Sequence, residues 1–179
     1  DINVSDILQN EKPDVEAGLP DFVDLPADHW ARGLIARALT RGILEGDGQG
    51  NIYPDRAVTR EEFVAMLVRA FALEETDGEC GFADASEGDW YFSYVNTVYQ
   101  LGIVLGVDDE NFGVGQNILR QDACVMLDRV LNGLAAKLKS TNKNEIKDMQ
   151  AVADYAKDSV QNLMEIGVVR GDENQNIRP

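Results

Sequence analysis

The sequence has little positive charge. Lys and Arg number 16 against 32 Asp and Glu, which gives a formal net charge of −16. A nucleic-acid-binding protein needs a basic surface that replaces the counterions of the phosphate backbone, so this balance argues against nucleic acid as a partner. It also disfavours an anionic membrane surface. No apolar run approaches the roughly 20 residues of a transmembrane helix, so we expect no membrane insertion.

Motifs for metal binding and catalysis are also missing. The chain has one His and two Cys, and no Cys/His cluster has zinc spacing. It contains no P-loop, dinucleotide fingerprint or G-x-S-x-G elbow. The segment Asp47–Asp55 is only faintly similar to a calcium loop, because it lacks the glutamate at position twelve. We therefore expect no cofactor, no metal and no enzymatic activity, although the many carboxylates leave a glycosidase pair open on composition alone.

The two cysteines and the N-terminus leave alternatives open. Cys80 and Cys124 are compatible with a disulfide or with two independent half-buried thiols. No signal peptide is visible, but Asp1 is not a natural translation start, so a leader could have been removed. The 179 residues are enough for one ordinary domain or a few small modules.

A capping box is the strongest local signal. Thr59 and Glu62 have the S/T-x-x-E spacing in which each side chain accepts a hydrogen bond from the other residue's backbone N–H. Apolar residues follow Glu62 at helical spacing, so the pattern predicts a helix that begins here. Arg60 then lies in the first turn, where a guanidinium and several free amides favour an anion.

The chain repeats with a period of 60 residues. Residues of six kinds keep this register without a gap, which indicates a repeat architecture. The pairs are Phe22 and Phe82, Asp24 and Asp84, Trp30 and Trp90, Gly42 and Gly102, Gly46 and Gly106, and Arg60 and Arg120. Each copy reads as a helix, a glycine-punctuated loop and a second helix, and one such unit cannot bury its apolar stripe alone.

A third copy begins near Ile146 and is shorter. Tyr155 takes the tryptophan place, the pair Gly167 and Gly171 keeps the glycine spacing, and Pro179 falls where Pro54 falls. We divide the chain into an N-terminal arm or linker (1–20), a first repeat (21–80), a second repeat with a connector (81–145) and the first half of a third repeat (146–179).

The repeat resembles the S-layer homology (SLH) repeat. In copy one the Asp28-His-Trp30 start, the glycine pair, Pro54 and T-R-E-E occur in order. Copy two is looser, since Leu119 replaces the threonine. The resemblance implies an all-α fold in which three repeats pack as a bundle with pseudo-threefold symmetry, a three-pronged spindle with grooves between the prongs.

The resemblance also implies a function. SLH domains hold exported proteins non-covalently on bacterial cell walls, usually through an anionic secondary cell-wall polysaccharide with pyruvylated N-acetylmannosamine. The implied location is secreted, at the cell surface or cell wall. Two alternatives remain open: a tether of an outer-membrane protein to peptidoglycan, and a self-assembly module without a saccharide site, which the incomplete third repeat favours.

Two candidate saccharide sites follow from the repeat. A pyruvate ketal needs a cation and amide donors, and a sugar ring needs a flat apolar face, which the arginines, the glycine backbones and the tryptophans would supply. The candidate residues are Asp28, Trp30, Gly46 and Arg60 in copy one, and Asp89, Trp90, Gly106 and Arg120 in copy two.

Each candidate has a structural alternative. The tryptophans would then be core residues, Arg60 would form an ion pair with Asp24, Asp55 or a glutamate, and Gly46 and Gly106 would be turn glycines. We expect Gly42 and Gly102 to be helix C-caps with left-handed φ. Copy three shows no equivalent arginine.

Overall fold

The computed structural model describes residues 22–134 and 146–179. In these two ranges the regular structure is helical and contains no β-sheet, which confirms the predicted all-α class. The helices are α1 (Arg32–Thr40), α2 (Arg60–Phe71), α3 (Phe92–Gln100), α4 (Arg120–Gly133) and α5 (Lys157–Glu165), with 3₁₀ turns at Met149–Ala151 and Asp154–Ala156. The predicted N-terminal arm and all of the predicted connector beyond Leu134 lie outside the described residues.

None of the helices in the described ranges can cross a membrane. The longest of them, α4, has 14 residues, and none combines the length with the apolar character that a membrane span needs.

The start of α2 confirms the predicted capping box. The Thr59 side chain accepts from the Glu62 N–H at 3.5 Å, and Glu62 Oε2 accepts from the Thr59 N–H at 3.0 Å. At the same place in the second repeat, Leu119 precedes α4 without a side-chain cap. The two helices therefore begin with the same backbone conformation and different cap chemistry.

A glycine in the left-handed region ends the first helix of each repeat, as predicted for Gly42 and Gly102. The φ angles of Gly42, Gly102 and Gly167 are 66°, 68° and 76°. Only glycine adopts this conformation without cost, and it turns the chain so that the N–H groups after the helix reach its last carbonyls. The Gly42 and Ile43 N–H groups donate to Leu39 and Ala38, at 2.9 and 2.8 Å.

An aspartate closes the loop of each repeat. Its carboxylate accepts hydrogen bonds from backbone N–H groups 28 to 30 residues further on, at 2.6 to 3.2 Å. These aspartates and donors are Asp24 with Ile52 and Tyr53, Asp84 with Phe112, Gly113 and Val114, and Asp148 with Ile177 and Arg178. The sequence repeat is therefore also a repeat of hydrogen bonding, and the third copy shares it.

The described chain forms two compact units. The first comprises residues 22–101 and 105–117, and the second comprises 102–104, 118–134 and 146–179. Within the first unit α2 packs on α3, and within the second α4 packs on α5. Each unit thus joins the second helix of one repeat to the first helix of the next, so each apolar stripe is buried between repeats.

Each unit has its own apolar core. In the first unit Leu25, Ala31 and Ile35 are buried, and in the second Val160 and Leu163 are fully buried beside Ile177. Cys80 and Cys124 are buried free thiols, so of the two interpretations of the cysteines the structure has independent thiols.

Candidate functional site

A cavity of about 260 Å³ opens in the first unit, where α2, the loop after α1 and the start of α3 meet. Its floor is apolar, with Ile43, Leu44, Ile52, Val58, Ala65 and Met66. Its polar and aromatic lining consists of Glu45, Tyr53, Arg56, Glu62, Arg69 and Trp90, together with the backbone of Gly46. Ligand sites typically combine an apolar wall with a few placed polar groups, and this cavity has both.

Arg69 is a cation of the cavity that α3 holds in place. It lies in the last turn of α2, and its Nε and one terminal nitrogen donate to the Tyr94 hydroxyl at 3.1 and 2.9 Å. Its guanidinium carbon also lies 4.9 Å from the centroid of the Tyr94 ring. The same terminal nitrogen also donates to Glu45 Oε2 at 3.3 Å. Since α3 supplies Tyr94, the packing of α2 on α3 fixes this arginine.

Arg56 is the second cation, and it is tied to the capping box. It donates to Glu62 Oε1 at 2.5 Å, while the other oxygen of Glu62 holds the Thr59 N–H. The hydrogen bond to Glu62 raises the pKa of Arg56 above its ordinary value. Burial alone would raise the pKa of Glu62, but the hydrogen bonds from Arg56 and Thr59 keep it below its ordinary value. Both groups therefore stay charged at neutral pH.

Trp90 brings an exposed indole to the cavity. It precedes α3 and is 57% exposed, while Trp30, its counterpart in the first repeat, is 80% exposed. The interpretation of the two tryptophans as core residues is therefore wrong. The two differ in place, because Trp90 lines the cavity and Trp30 does not.

Tyr53 adds a second aromatic ring in an unusual backbone conformation. Its φ is 51°, in the left-handed region that costs a residue with a Cβ roughly 1–2 kcal/mol. The hydroxyl donates to Asp47 Oδ2 at 2.8 Å, and this hydrogen bond raises the pKa of Tyr53. The corresponding Gly113 and Arg178 also have positive φ, so the loops of all three repeats share this conformation, and in the first repeat a tyrosine adopts it in spite of the cost.

Arg60 lies in the interior of the first unit. Only 5% of it is exposed. Its Nε donates to the Phe112 carbonyl at 2.9 Å, and its guanidinium carbon lies 5.2 Å from the centroid of the Phe112 ring. The backbone N–H of Arg60 donates to the Gln116 carbonyl at 2.9 Å. Arg60 is outside the lining of the cavity, so the structure does not bring it together with Gly46 there, and its predicted role in ligand binding stays a prediction.

The other predicted residues are spread over the surface. Asp28 is exposed, and Asp89 accepts from the Tyr91 hydroxyl at 2.9 Å. Burial and this hydrogen bond raise the pKa of Tyr91 to about 12. Arg120 is exposed and donates to Arg170 O at 3.3 Å. None of these three lines the cavity.

Gly46 and Gly106 are required by the loops themselves. A Cβ on Gly46 would lie 2.7 Å from the Phe22 ring, and one on Gly106 would lie 2.5 Å from Asn111 O. The interpretation as turn glycines therefore accounts for both, and Gly46 also contributes backbone to the cavity.

The sequence prediction missed the cations that the cavity contains. Arg69 has a counterpart 60 residues further on, Arg129, so the repeat register itself carried that signal. Arg56 has no such counterpart, since Gln116 takes its place. The described residues hold no group of three or more His, Cys, Asp or Glu side chains that could bind a metal ion.

Comparison with known families agrees with the repeat. The sequence profile of the S-layer homology domain matches residues 21–64, 81–124 and 145–179. The chain belongs to the S-layer homology (SLH) domain family. The third match is the shortest, which confirms the prediction that the third SLH repeat in this sequence is shorter than the other two.

Relatives of the SLH chain include surface proteins and enzymes. It is 28% identical over 162 residues to the S-layer protein sap of Bacillus anthracis, covering 90% of this chain and 19% of the relative. It is 29% identical over 153 residues to an amylopullulanase of Thermoanaerobacterium thermosulfurigenes, covering 85% and 8%. It is 30% identical over 115 residues to a cellulosome-anchoring protein of Acetivibrio thermocellus, covering 62% and 26%.

The SLH chain spans a small share of the length of these relatives. Membership in the family and the S-layer relatives confirm the predicted location at the cell surface or cell wall, and with it a role in cell-surface anchoring.

Proposed function

We propose that the SLH chain anchors an exported protein by binding an anionic secondary cell-wall polysaccharide, with pyruvylated N-acetylmannosamine as the recognised sugar, in the cavity between α2 and α3. The observation that carries the proposal is that the Arg69 guanidinium and the exposed Trp90 indole line one cavity of about 260 Å³. The proposed role is binding without catalysis.

The chemistry of the cavity suits such a sugar. A pyruvate ketal presents a carboxylate and a methyl group on a rigid ring. Arginine matches a carboxylate with paired N–H donors, the apolar floor beside Met66 suits the methyl group, and an exposed indole offers a flat face to the ring. The volume lies just below the range of about 300–1,000 Å³ for drug-sized ligands, which fits one substituted sugar.

The test is a calorimetric titration with synthetic N-acetylmannosamine, with and without the pyruvate ketal. We expect binding of the pyruvylated sugar and much weaker binding of the plain sugar. Arg69→Gln should weaken binding of the pyruvylated sugar about 10- to 100-fold, since a charged hydrogen bond contributes about 1.5–3 kcal/mol. Arg37→Gln, an equal charge change at an exposed position of α1 outside the cavity, serves as the control.

Two results would count against the proposal. Equal affinity for both sugars would reject recognition of the pyruvate. In a pull-down with purified walls, equal binding before and after removal of the polysaccharide would favour the peptidoglycan tether instead. A thermal unfolding midpoint that is unchanged in Arg69→Gln is needed to assign the loss to binding.

Exposed apolar side chains favour self-association as a second candidate function. Val23, Trp30 and Leu34 are strongly exposed in the first unit, and large exposed apolar side chains are a common feature of protein interfaces. Light scattering decides this: a mass that rises with concentration supports assembly, and a monomer at high concentration rejects it.

A further inference from the structure

Glu45 already holds the cation that the proposed ligand needs. Its carboxylate lies 3.3 Å from a terminal nitrogen of Arg69, and both residues line the cavity. The Glu45 side chain is 69% exposed. It lies in the loop just after α1, next to Gly46.

The two ion pairs of the cavity differ in how firmly they are held. The Glu62 carboxylate bonds Arg56 at 2.5 Å and also holds the Thr59 N–H, so moving it would undo a helix cap. Within the described ranges, Arg69 is the one hydrogen-bond partner of the Glu45 carboxylate. An exposed pair of this kind contributes roughly 0–1 kcal/mol, so a ligand can displace Glu45 at little cost.

Arg69 keeps its position when Glu45 leaves. Its Nε and a terminal nitrogen remain bonded to the Tyr94 hydroxyl, and its guanidinium remains on the Tyr94 ring. A preorganised cation loses little entropy when it exchanges one carboxylate for another.

We infer that Glu45 occupies the place of the ligand carboxylate at Arg69 and competes with it, so that this residue limits the affinity of the site for acidic sugars. The inference rests on the proposed function and adds a residue that determines selectivity. A neutral sugar has no carboxylate that would pair with the Arg69 guanidinium, so its binding does not require displacement of Glu45. The competition therefore acts on the charged ligand alone.

The repeat shows that the acid is not needed for folding. The residue 60 positions after Glu45 is Leu105, which is exposed. The counterpart of Arg69 is Arg129, which donates to the Ile103 carbonyl at 2.9 Å. Since an SLH loop forms without a carboxylate at this position, a variant of Glu45 should keep the fold.

The experiment compares Glu45→Gln with the wild-type chain by calorimetry, using pyruvylated and plain N-acetylmannosamine. We expect Glu45→Gln to bind the pyruvylated sugar about three- to tenfold more tightly, from the lost competitor and the lost charge repulsion. Its affinity for the plain sugar should not change. Glu75→Gln removes the same charge at an exposed position outside the cavity and should leave both affinities within about 1.5-fold, because salt screens distant exposed charges.

Three outcomes overturn the inference. They are no change in Glu45→Gln, equal tightening for both sugars, and a gain in Glu75→Gln as large as that in Glu45→Gln. Failure of the proposed function looks different, because the wild-type chain would then show no preference for the pyruvylated sugar. A wild-type preference that Glu45→Gln does not increase rejects the competition and leaves the proposed function intact.

Discussion

At the scale of single residues, Trp90 and Trp30 allow the effect of lining the cavity to be distinguished from the effect of being exposed. Both indoles are exposed, at 57% and 80%, and only Trp90 is part of the cavity lining. We expect Trp90→Ala to weaken binding of the pyruvylated sugar about tenfold or more, as truncation of a central aromatic contact commonly does. Trp30→Ala should leave the affinity unchanged.

Titrations of the two variants, with thermal unfolding beside them, check this prediction. Because both side chains are exposed, neither variant should unfold much earlier than the wild-type chain. A loss of affinity that is equal in the two variants would contradict the prediction, because Trp30 lies outside the cavity lining.

Of the residues that line the candidate cavity, the sequence pattern singled out the exposed indole and not the arginine Arg69. The 60-residue register singled out Trp90, which lines the cavity, and Arg60, which is buried against Phe112. Arg60 could not be told from Arg69 by pattern alone, because both recur in the second repeat as Arg120 and Arg129. The difference between them depends on distant partners, because Phe112 in the loop before α4 packs on Arg60 and Tyr94 of α3 binds Arg69. No local spacing reveals these long-range contacts.

At the level of the helix, cap chemistry distinguishes the first repeat from the second. The Thr59 side chain caps α2, and Leu119 leaves α4 uncapped in the same extended conformation. Thr59→Ala should lower the free energy of unfolding by about 1 kcal/mol, and Leu119→Ser should raise it by about 0.5–1 kcal/mol, since a hydroxyl at this position accepts a backbone N–H. Chemical denaturation of both variants measures these changes.

The two cap variants are controls for each other, because Thr59→Ala removes a side-chain cap and Leu119→Ser introduces one. A gain in Leu119→Ser requires that its hydroxyl reaches the N–H of Asp122. If Leu119→Ser is destabilised, the exposed leucine makes an apolar contact worth more than the missing cap.

The loop aspartates make the fold sensitive to acid. Burial alone would raise the pKa of Asp84, but the N–H groups of Val114, Phe112 and Gly113 keep it below the ordinary value. Because the folded pKa is lower than the unfolded one, this stabilisation is complete above the ordinary value of 3.8 and is lost as the pH falls through the folded pKa. We expect Asp84→Asn to cost about 2 kcal/mol at neutral pH.

Denaturation at neutral and acid pH tests the source of this stabilisation. The deficit of Asp84→Asn relative to the wild-type chain should shrink as the wild-type carboxylate becomes protonated. Asp109→Asn, an equal charge change at an exposed loop position, should follow the wild-type chain. A deficit in Asp84→Asn of the same size at both pH values would show that the carboxylate charge is not its cause.

At the scale of the molecule, the sequence predicted the helices and turns that make up each repeat. It did not predict which helices pack against each other. Helix starts, left-handed glycines and the all-α class followed from local patterns. The joining of α2 with α3, and of α4 with α5, depends on which apolar stripes face each other. The candidate sites were therefore drawn within one repeat, while the cavity takes its indole from the next.

The net charge of −16 sets how the whole molecule should respond to salt. The charge repels an anionic sugar at long range, while Arg69 attracts its carboxylate at contact, and salt weakens both effects over a screening length of about 10 Å at 0.1 M. We expect the affinity for the pyruvylated sugar to change less than about threefold between roughly 0.05 and 0.5 M salt. A protein that binds a polyanion through counterion release instead loses about 10³–10⁵ in affinity over a narrower range. Titrations at several salt concentrations, with heparin and polyphosphate as polyanion controls, distinguish the two. A steep salt dependence, or tight binding of either control, would mean that charge density and not the shape of the acidic sugar is what this surface recognises.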